Sequence, residues 1–219
     1  MKIAVTGTNT DVGKTIATAA LAVELNRRGT AGGDWHMIKP VQTGENDSDA
    51  RTVRELTGIE TEEVMHYPEA LAPDQSAIRA GIEPAPLEQV ADEVARRNGN
   101  YLVEGAGGIL VRLGRDWTFL DMCVRLDMPI VVVSSMQLGS LNAAELTVSH
   151  IQSHGGRVLG VIGGSYPAQP DLATRLNVDE MEAKTGVPFA GVLPAGSGKL
   201  SREEFATVAT GLDLDKLGL

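Results

Sequence analysis

The segment Gly7-Thr8-Asn9-Thr10-Asp11-Val12-Gly13-Lys14-Thr15 follows a β-branched run, Ile3 to Thr6, and opens into an apolar helical stretch. A glycine-containing loop between a strand and a helix cradles phosphates. Its backbone N–H groups wrap them, the helix N-terminus faces them, Lys14 neutralises charge, and the Thr15 hydroxyl can reach Mg²⁺. The strict pattern places glycine six residues before the lysine, where this chain has Thr8, with Gly7 one residue further back.

Phosphate chemistry also needs metal ligands and a charge partner. Glu104 ends the run Tyr-Leu-Val-Glu and leads into Gly105-Ala106-Gly107-Gly108, where glycines let a phosphate or substrate approach the backbone. Asp47 and Asp49 precede the helical stretch Ala50 to Leu56, and either is a metal ligand or a cap on residue type alone. Lys39 ends another β-branched run, in Lys39-Pro40-Val41-Gln42-Thr43-Gly44. There a lysine stabilises charge building on a transferred phosphoryl group, or is simply a surface lysine.

Other polar groups carry less. His150 and His154 have metal-ligand spacing but lack a third partner and fit an exposed helix face. Gly196-Ser197-Gly198-Lys199 imitates a phosphate loop without an apolar helix after it and reads as a flexible turn. Cys123, the one cysteine, fits the core and excludes an internal disulfide. No Gly-x-Gly-x-x-Gly follows a strand, which excludes the dinucleotide-binding fingerprint.

The elements that must position these residues are short and alternate. Apolar runs at Ile3–Thr6, His36–Lys39, Tyr101–Glu104, Ile130–Ser134, Val158–Ile162 and Phe189–Leu193 lack a polar alternation, as strands covered on both faces do. Helical stripes run through Leu87, Val90, Ala91 and Val94, through Leu141, Ala144, Val148 and Ile151, and from Thr15 to Arg28 with Gly29 as C-cap. The pattern predicts an α/β fold: one domain over residues 1–219, a mostly parallel sheet with helices on both faces, and ligands at the carboxyl ends of the strands. A chain of 219 residues with 29 acidic against 19 basic side chains, net charge -10, repels phosphate backbones and anionic lipid, so nucleic acid and membranes are not expected partners. No apolar run nears the roughly 18 residues of a membrane span, and a cytoplasmic location is expected.

Taken together with Leu138-Gly139-Ser140-Leu141-Asn142, the phosphate loop, Lys39-Pro40-Val41-Gln42-Thr43-Gly44 and Glu104-Gly105-Ala106-Gly107-Gly108 resemble the dethiobiotin synthetase family in order and spacing over nearly the whole chain. Thr8 is itself a habit of that family. The resemblance implies a P-loop NTPase-like fold and a homodimer that forms dethiobiotin from 7,8-diaminononanoate, CO₂ and ATP with Mg²⁺. It implies catalytic roles for Lys14, Lys39 and Thr43. Nucleotide contacts fall to Asn9, Thr10, Asp11, Val12, Gly13, Lys14, Thr15 and Ile16, to Glu104, Gly107 and Gly108, and to Gly164, Pro194, Ala195 and Gly196. Mg²⁺ falls to Thr15, Asp49 and Glu104, with Asp49 chosen over Asp47. Asp11, Lys39 and Thr43 would contact the diamine or its carbamate. Gly139, Ser140, Leu141 and Asn142 would hold its distal carboxylate across the dimer interface. An asparagine that many members place at the end of a late strand has no counterpart in Val161-Ile162-Gly163-Gly164-Ser165-Tyr166-Pro167.

Two other functions compete. A partner-regulated switch ATPase with a deviant phosphate loop carries a signature lysine five residues before the loop lysine, where this chain has Asn9. An amide-forming ligase such as a cobyrinic acid amidating enzyme needs a glutaminase domain with a nucleophilic cysteine, and 219 residues with Cys123 alone leave no room for it.

Overall fold

Successive residues of a strand point to opposite faces, and here both faces are apolar. Ile3, Val5, Met37, Leu102, Val131 and Val133 pack into one core cluster, whereas their neighbours Ala4, Ile38, Val103, Ile130 and Val132 pack into the other. The computed structural model describes residues 1–29, 31–45 and 48–219. Asp47, an alternative to Asp49 from sequence, lies outside the described residues.

The strands are β1 (Lys2–Gly7), β2 (Trp35–Thr43), β3 (Thr61–Tyr67), β4 (Asn100–Gly108), β5 (Ile130–Ser134), β6 (Val158–Tyr166) and β7 (Phe189–Pro194). They form one seven-stranded sheet in the order β3-β2-β4-β1-β5-β6-β7, every pair parallel. The helices are α1 (Lys14–Arg28), α2 (Asp49–Thr57), α3 (Pro73–Arg79), α4 (Leu87–Ala95), α5 (Phe119–Arg125), α6 (Ser140–Ser153), α7 (Leu172–Thr185) and α8 (Arg202–Ala209). Apolar residues of α1, α2 and α8 enter one cluster, and those of α3 to α7 enter the other. The α/β class and two-faced parallel sheet expected from sequence are therefore observed. The chain passes from β4 on one side of β1 to β5 on the other, so the carboxyl end of β1 is a switch point where ligands bind.

Several elements differ from the expectation. Strand β3, Thr-Glu-Glu-Val-Met-His-Tyr, sits at the sheet edge and is mostly half-buried, so it never needed the apolar run that marks a central strand. Strand β2 continues through Pro40 to Thr43. Its pairing with β4 ends at Ile38, and only the β3 side continues, which leaves room for a residue without an N–H. Gly196-Ser197 is not a flexible turn: Ser197 is buried, donates to Pro194 O at 2.6 Å, starts a 3-10 turn, and is followed by α8, opened by a Ser201–Glu204 capping box. His150 and His154 stack at 3.9 Å on α6 and its C-cap, with His154 exposed and His150 half-exposed. Cys123 packs in the core, where burial pushes its thiol pKa up.

Candidate functional site

The loop after β1 is shaped by close backbone approaches. A Cβ at Gly7 would lie 2.7 Å from Asn9 O, which explains glycine there although the strict pattern places it at position 8. Gly13 caps α1 at φ 94°, and a Cβ on it would meet Gly164 O at 2.3 Å. Gly164 in turn could carry no side chain, because its Cβ would fall 2.0 Å from Val12 O. The end of β6 thus braces the loop from beneath. Asp11 stands exposed at φ 57°, and the Asn9 side chain accepts from Thr10 N at 2.8 Å. Lys14 begins α1 and donates to Asn9 O at 3.2 Å, with its side chain folded back over the loop. Burial holds its ammonium below the usual lysine range, with Glu104 the main opposing charge.

Three elements bring an acid pair and a second lysine against Thr15. Thr15 Oγ1 lies 2.8 Å from Asp49 Oδ1 and 3.1 Å from Glu104 Oε1. Asp49 is not a cap. Ser48 caps α2 by accepting from Arg51 N at 2.9 Å, and Gln42 Oε1 receives Asp49 N at 3.2 Å, so the Asp49 carboxylate is free to face the loop. Glu104 is wholly inaccessible, and its Oε2 accepts from Thr18 Oγ1 at 2.7 Å. Lys39 is not a surface lysine but 2% exposed. Its ammonium pairs with Asp49 Oδ2, lies 3.0 Å from Glu104 Oε1, and donates to Gly105 O at 3.0 Å.

Burial and pairing oppose each other across this cluster. Burial alone would strip charge from Lys39, yet Glu104 and Asp49 outweigh it and hold the ammonium above its ordinary pKa. Burial likewise works to raise the Asp49 carboxyl, but Lys39 and Thr15 win and keep it low. For Glu104, enclosed completely and facing Asp49, burial prevails over Lys39 and the carboxyl is pushed up.

Thr15, Lys39 and Asp49 of the cluster line a cleft of two adjoining cavities, about 350 and 610 Å³, with the inaccessible Glu104 lining neither; the two cavities share Thr10, Asp11, Gln42, Thr43, Asp49, Ala106 and Gly107. Lys14, Thr15, Ile16 and Lys39 line the first, and Leu71, Pro73 and Val111 give the second an apolar wall. Gly107 adopts φ 59°, and Gly108 pairs with Gly7 at the same strand ends. Pro194 ends β7 and Ala195 and Gly196 follow it, all three exposed, and Ala195 N donates to Tyr166 O at 2.7 Å. Gly139, Ser140, Leu141 and Asn142 form the start of α6 and line neither cavity. Sequence reasoning missed Thr18 and Gln42. Thr18 lies one helical turn after Lys14 and so shares its face, a spacing that could have revealed it.

A family model described as an AAA domain matches residues 1–201. Over 97% of its length the chain is 49% identical to the ATP-dependent dethiobiotin synthetase BioD of Corynebacterium diphtheriae, of which it covers 96%. The chain belongs to the dethiobiotin synthetase family. A more distant relative, the ATP-dependent dethiobiotin synthetase BioD of Rhodococcus erythropolis, is 42% identical, with 94% of each chain covered. Likeness in fold reaches further. A ParA family ATPase from Chlorobium tepidum aligns with TM-score 0.58 at 14% identity, covering 95% of this chain and 91% of its own. The septum site-determining protein MinD of Pyrococcus horikoshii aligns with TM-score 0.56 at 16% identity, covering 95% of each. These two establish a P-loop NTPase-like fold and nothing beyond it.

Proposed function

We propose that this chain closes the ureido ring of dethiobiotin from 7,8-diaminononanoate, CO₂ and ATP, as an ATP-dependent ligase of biotin biosynthesis. The observation that carries the reading is the meeting of Lys39, Asp49 and Glu104 beside Lys14 and Thr15, in a chain so similar to named synthetases. One diamine nitrogen captures CO₂ as a carbamate. A carbamate oxygen attacks the γ-phosphate and releases ADP, and the second amine displaces phosphate from the resulting mixed anhydride and closes the ring. No enzyme nucleophile is needed, and positioning and charge neutralisation do the work. Lys14 and the loop amides hold the triphosphate. Lys39 and Thr43 face the carbamate and the transferred phosphoryl group, and the apolar wall of the second cavity receives the methylene chain.

Thr15, Asp49 and Glu104 offer oxygen donors only, the set that suits Mg²⁺. Among the described residues no three His, Cys, Asp or Glu side chains cluster as a metal site, so phosphate oxygens and water would complete the shell. Bound there, the ion would neutralise charge on the β- and γ-phosphates. Asp49→Asn and Glu104→Gln should each raise the Mg²⁺ concentration needed for activity, and Asp47→Asn should not; a shift confined to Asp47→Asn would overturn this assignment.

A homodimer accompanies the reading. The start of α6 lines neither cavity of its own chain, and Leu138, Leu146 and Leu110 are 87%, 62% and 53% exposed. A second copy would cover those leucines and bring Gly139–Asn142 to the diamine carboxylate. Sedimentation should give a dimer, and a competent monomer would refute it. No helix among the described residues is long and apolar enough to cross a membrane, and a lone buried cysteine suits the reducing cytoplasm.

The deciding assay incubates the chain with diaminononanoate, bicarbonate, Mg²⁺ and ATP and seeks dethiobiotin by mass spectrometry. ATP hydrolysis with no diamine-dependent product would favour the switch ATPase, against which Asn9 at the signature position already speaks.

A further inference from the structure

The carboxylate oxygens that face Thr15 are already occupied. Glu104 Oε1 has Thr15 Oγ1 at 3.1 Å and Lys39 Nζ at 3.0 Å, while Asp49 has Thr15 on Oδ1 and Lys39 on Oδ2. The other Glu104 oxygen is taken by Thr18. Lys14 bonds to neither acid, and its ammonium goes to Asn9 O. Lys39 is therefore the cation that touches both carboxylates and lets them stand together around one hydroxyl.

We propose that Lys39 is a stand-in cation: in the nucleotide-free chain it holds the carboxylate oxygens a divalent metal would need, and it yields them only to a metal arriving with nucleotide phosphates. The inference rests on the reading of Asp49 and Glu104 as metal ligands. Mg²⁺ binds oxygen at about 2.0–2.1 Å, and a divalent ion on Glu104 Oε1 would stand next to an ammonium on the same atom, in an enclosed site where like charges repel strongly. Protein side chains supply at most three of the six ligands a small divalent ion wants. A free ion thus gains little and must expel a paired ammonium. A nucleotide-bound ion brings its own phosphate oxygens, and those phosphates also give the released ammonium a new anionic partner. Metal entry and delivery of Lys39 to the reacting phosphoryl group become one event.

The test measures Mn²⁺ binding to the nucleotide-free protein by electron paramagnetic resonance, in wild type, Lys39→Met and Lys14→Met. Lys39→Met should bind Mn²⁺ at least about tenfold more tightly than wild type, whereas Lys14→Met, which removes the same charge without freeing an acid oxygen, should gain less than about threefold. Adding Glu104→Gln to Lys39→Met should abolish the gain. Equal gains in the two lysine variants, or none in either, would overturn the proposal. Because Lys39→Met could fail to fold, wild-type crystals with and without Mg²⁺ and a non-hydrolysable ATP analogue provide a second reading. Lys39 Nζ should leave Glu104 Oε1 in the complex, and a hydrogen bond kept in both states would refute displacement. Neither measurement involves diaminononanoate. A chain that makes no dethiobiotin but shows this Mn²⁺ pattern would refute the proposed reaction alone, and the reverse result would refute this inference alone.

Discussion

Thr18 Oγ1 lies 2.7 Å from Glu104 Oε2, so a hydroxyl one turn into α1 fixes the carboxylate at the end of β4. Glu104 has no contact with solvent, and the bond turns its other oxygen toward Thr15 and Lys39. Thr18→Val keeps shape but leaves a buried carboxylate oxygen unpaired, which costs about 1–3 kcal/mol. Urea unfolding should register that loss, Mg²⁺ titration of activity should show a higher requirement, and Thr18→Ser should recover both. A valine variant with unchanged stability and metal requirement would show that Thr18 does not orient Glu104.

The two lysines divide binding from turnover. Lys14 closes over the loop by bonding to Asn9 O, whereas Lys39 reaches the site from β2 across the acid pair. Lys14→Ala should abolish detectable nucleotide binding. Lys39→Ala should leave nucleotide affinity within a few-fold of wild type and lower kcat by about 10²–10³, the scale seen when one preorganised transition-state donor is lost. Isothermal titration and steady-state rates separate the two. Nucleotide affinity falling in step with kcat in Lys39→Ala would assign Lys39 to ground-state binding.

Much of this site is legible in the sequence because the phosphate loop is local. Gly7, Gly13, Lys14 and Thr15 lie within one strand-loop-helix segment, and apolar runs mark every strand covered on both sides. What escapes notice is contributed across the fold. Thr18 looks like an ordinary residue of an apolar helix until β4 brings Glu104 beside it. The choice of Asp49 as a site residue and Ser48 as the cap depends on Gln42, seven residues earlier, reaching Asp49 N. Strand β3 pairs through its backbone at the sheet edge, Lys39 opposite Glu63 and Thr43 opposite Tyr67, and of its side chains only Val64, Met65 and Tyr67 pack on the core, too short an apolar signal to mark a strand.

The helix that carries the loop is clamped at its far end by a charge cluster that titrates in acid. Glu24 is nearly inaccessible, and its Oε1 accepts from Arg27 Nη2 at 2.6 Å and from Arg28 Nε at 3.0 Å. The Arg27 hydrogen bonds hold its carboxyl below the ordinary glutamate range despite burial. A depressed carboxyl pKa means that the unfolded chain binds more protons in the window just below the ordinary value. The stabilisation is present above that value and is lost as pH falls through the folded pKa. Stability measured by urea unfolding should therefore fall on acidification through roughly pH 5 to 3, and Glu24→Gln should be less stable at neutral pH with a shallower acid limb. An unchanged acid limb would exclude Glu24 as a contributor.

Selectivity for the nucleotide base should be weak, because the late strand offers no asparagine to read it. Gly163 and Gly164 end the apolar part of β6, and Gly164 is committed to close contact with Val12 and Gly13, where no side chain fits. The next asparagine along the chain, Asn177, is buried on α7 and spends its amide on Met136 O, Gln137 O and Ser140 Oγ, at 3.0, 2.8 and 3.1 Å. Backbone groups near Pro194, Ala195 and Gly196 are exposed and can still meet the base edge. One net neutral hydrogen bond contributes about 0.5–1.5 kcal/mol, roughly a two- to twelvefold preference. Triphosphate and metal contacts do not depend on the base, so ATP, GTP and CTP should bind within roughly two orders of magnitude of one another, far from the discrimination of a buried polar reader. Direct titration of the three nucleotides at one Mg²⁺ concentration tests this. A preference for ATP above about a thousandfold, some 4 kcal/mol, exceeds what backbone groups of this kind supply and would require a side chain elsewhere in the cleft that reads adenine.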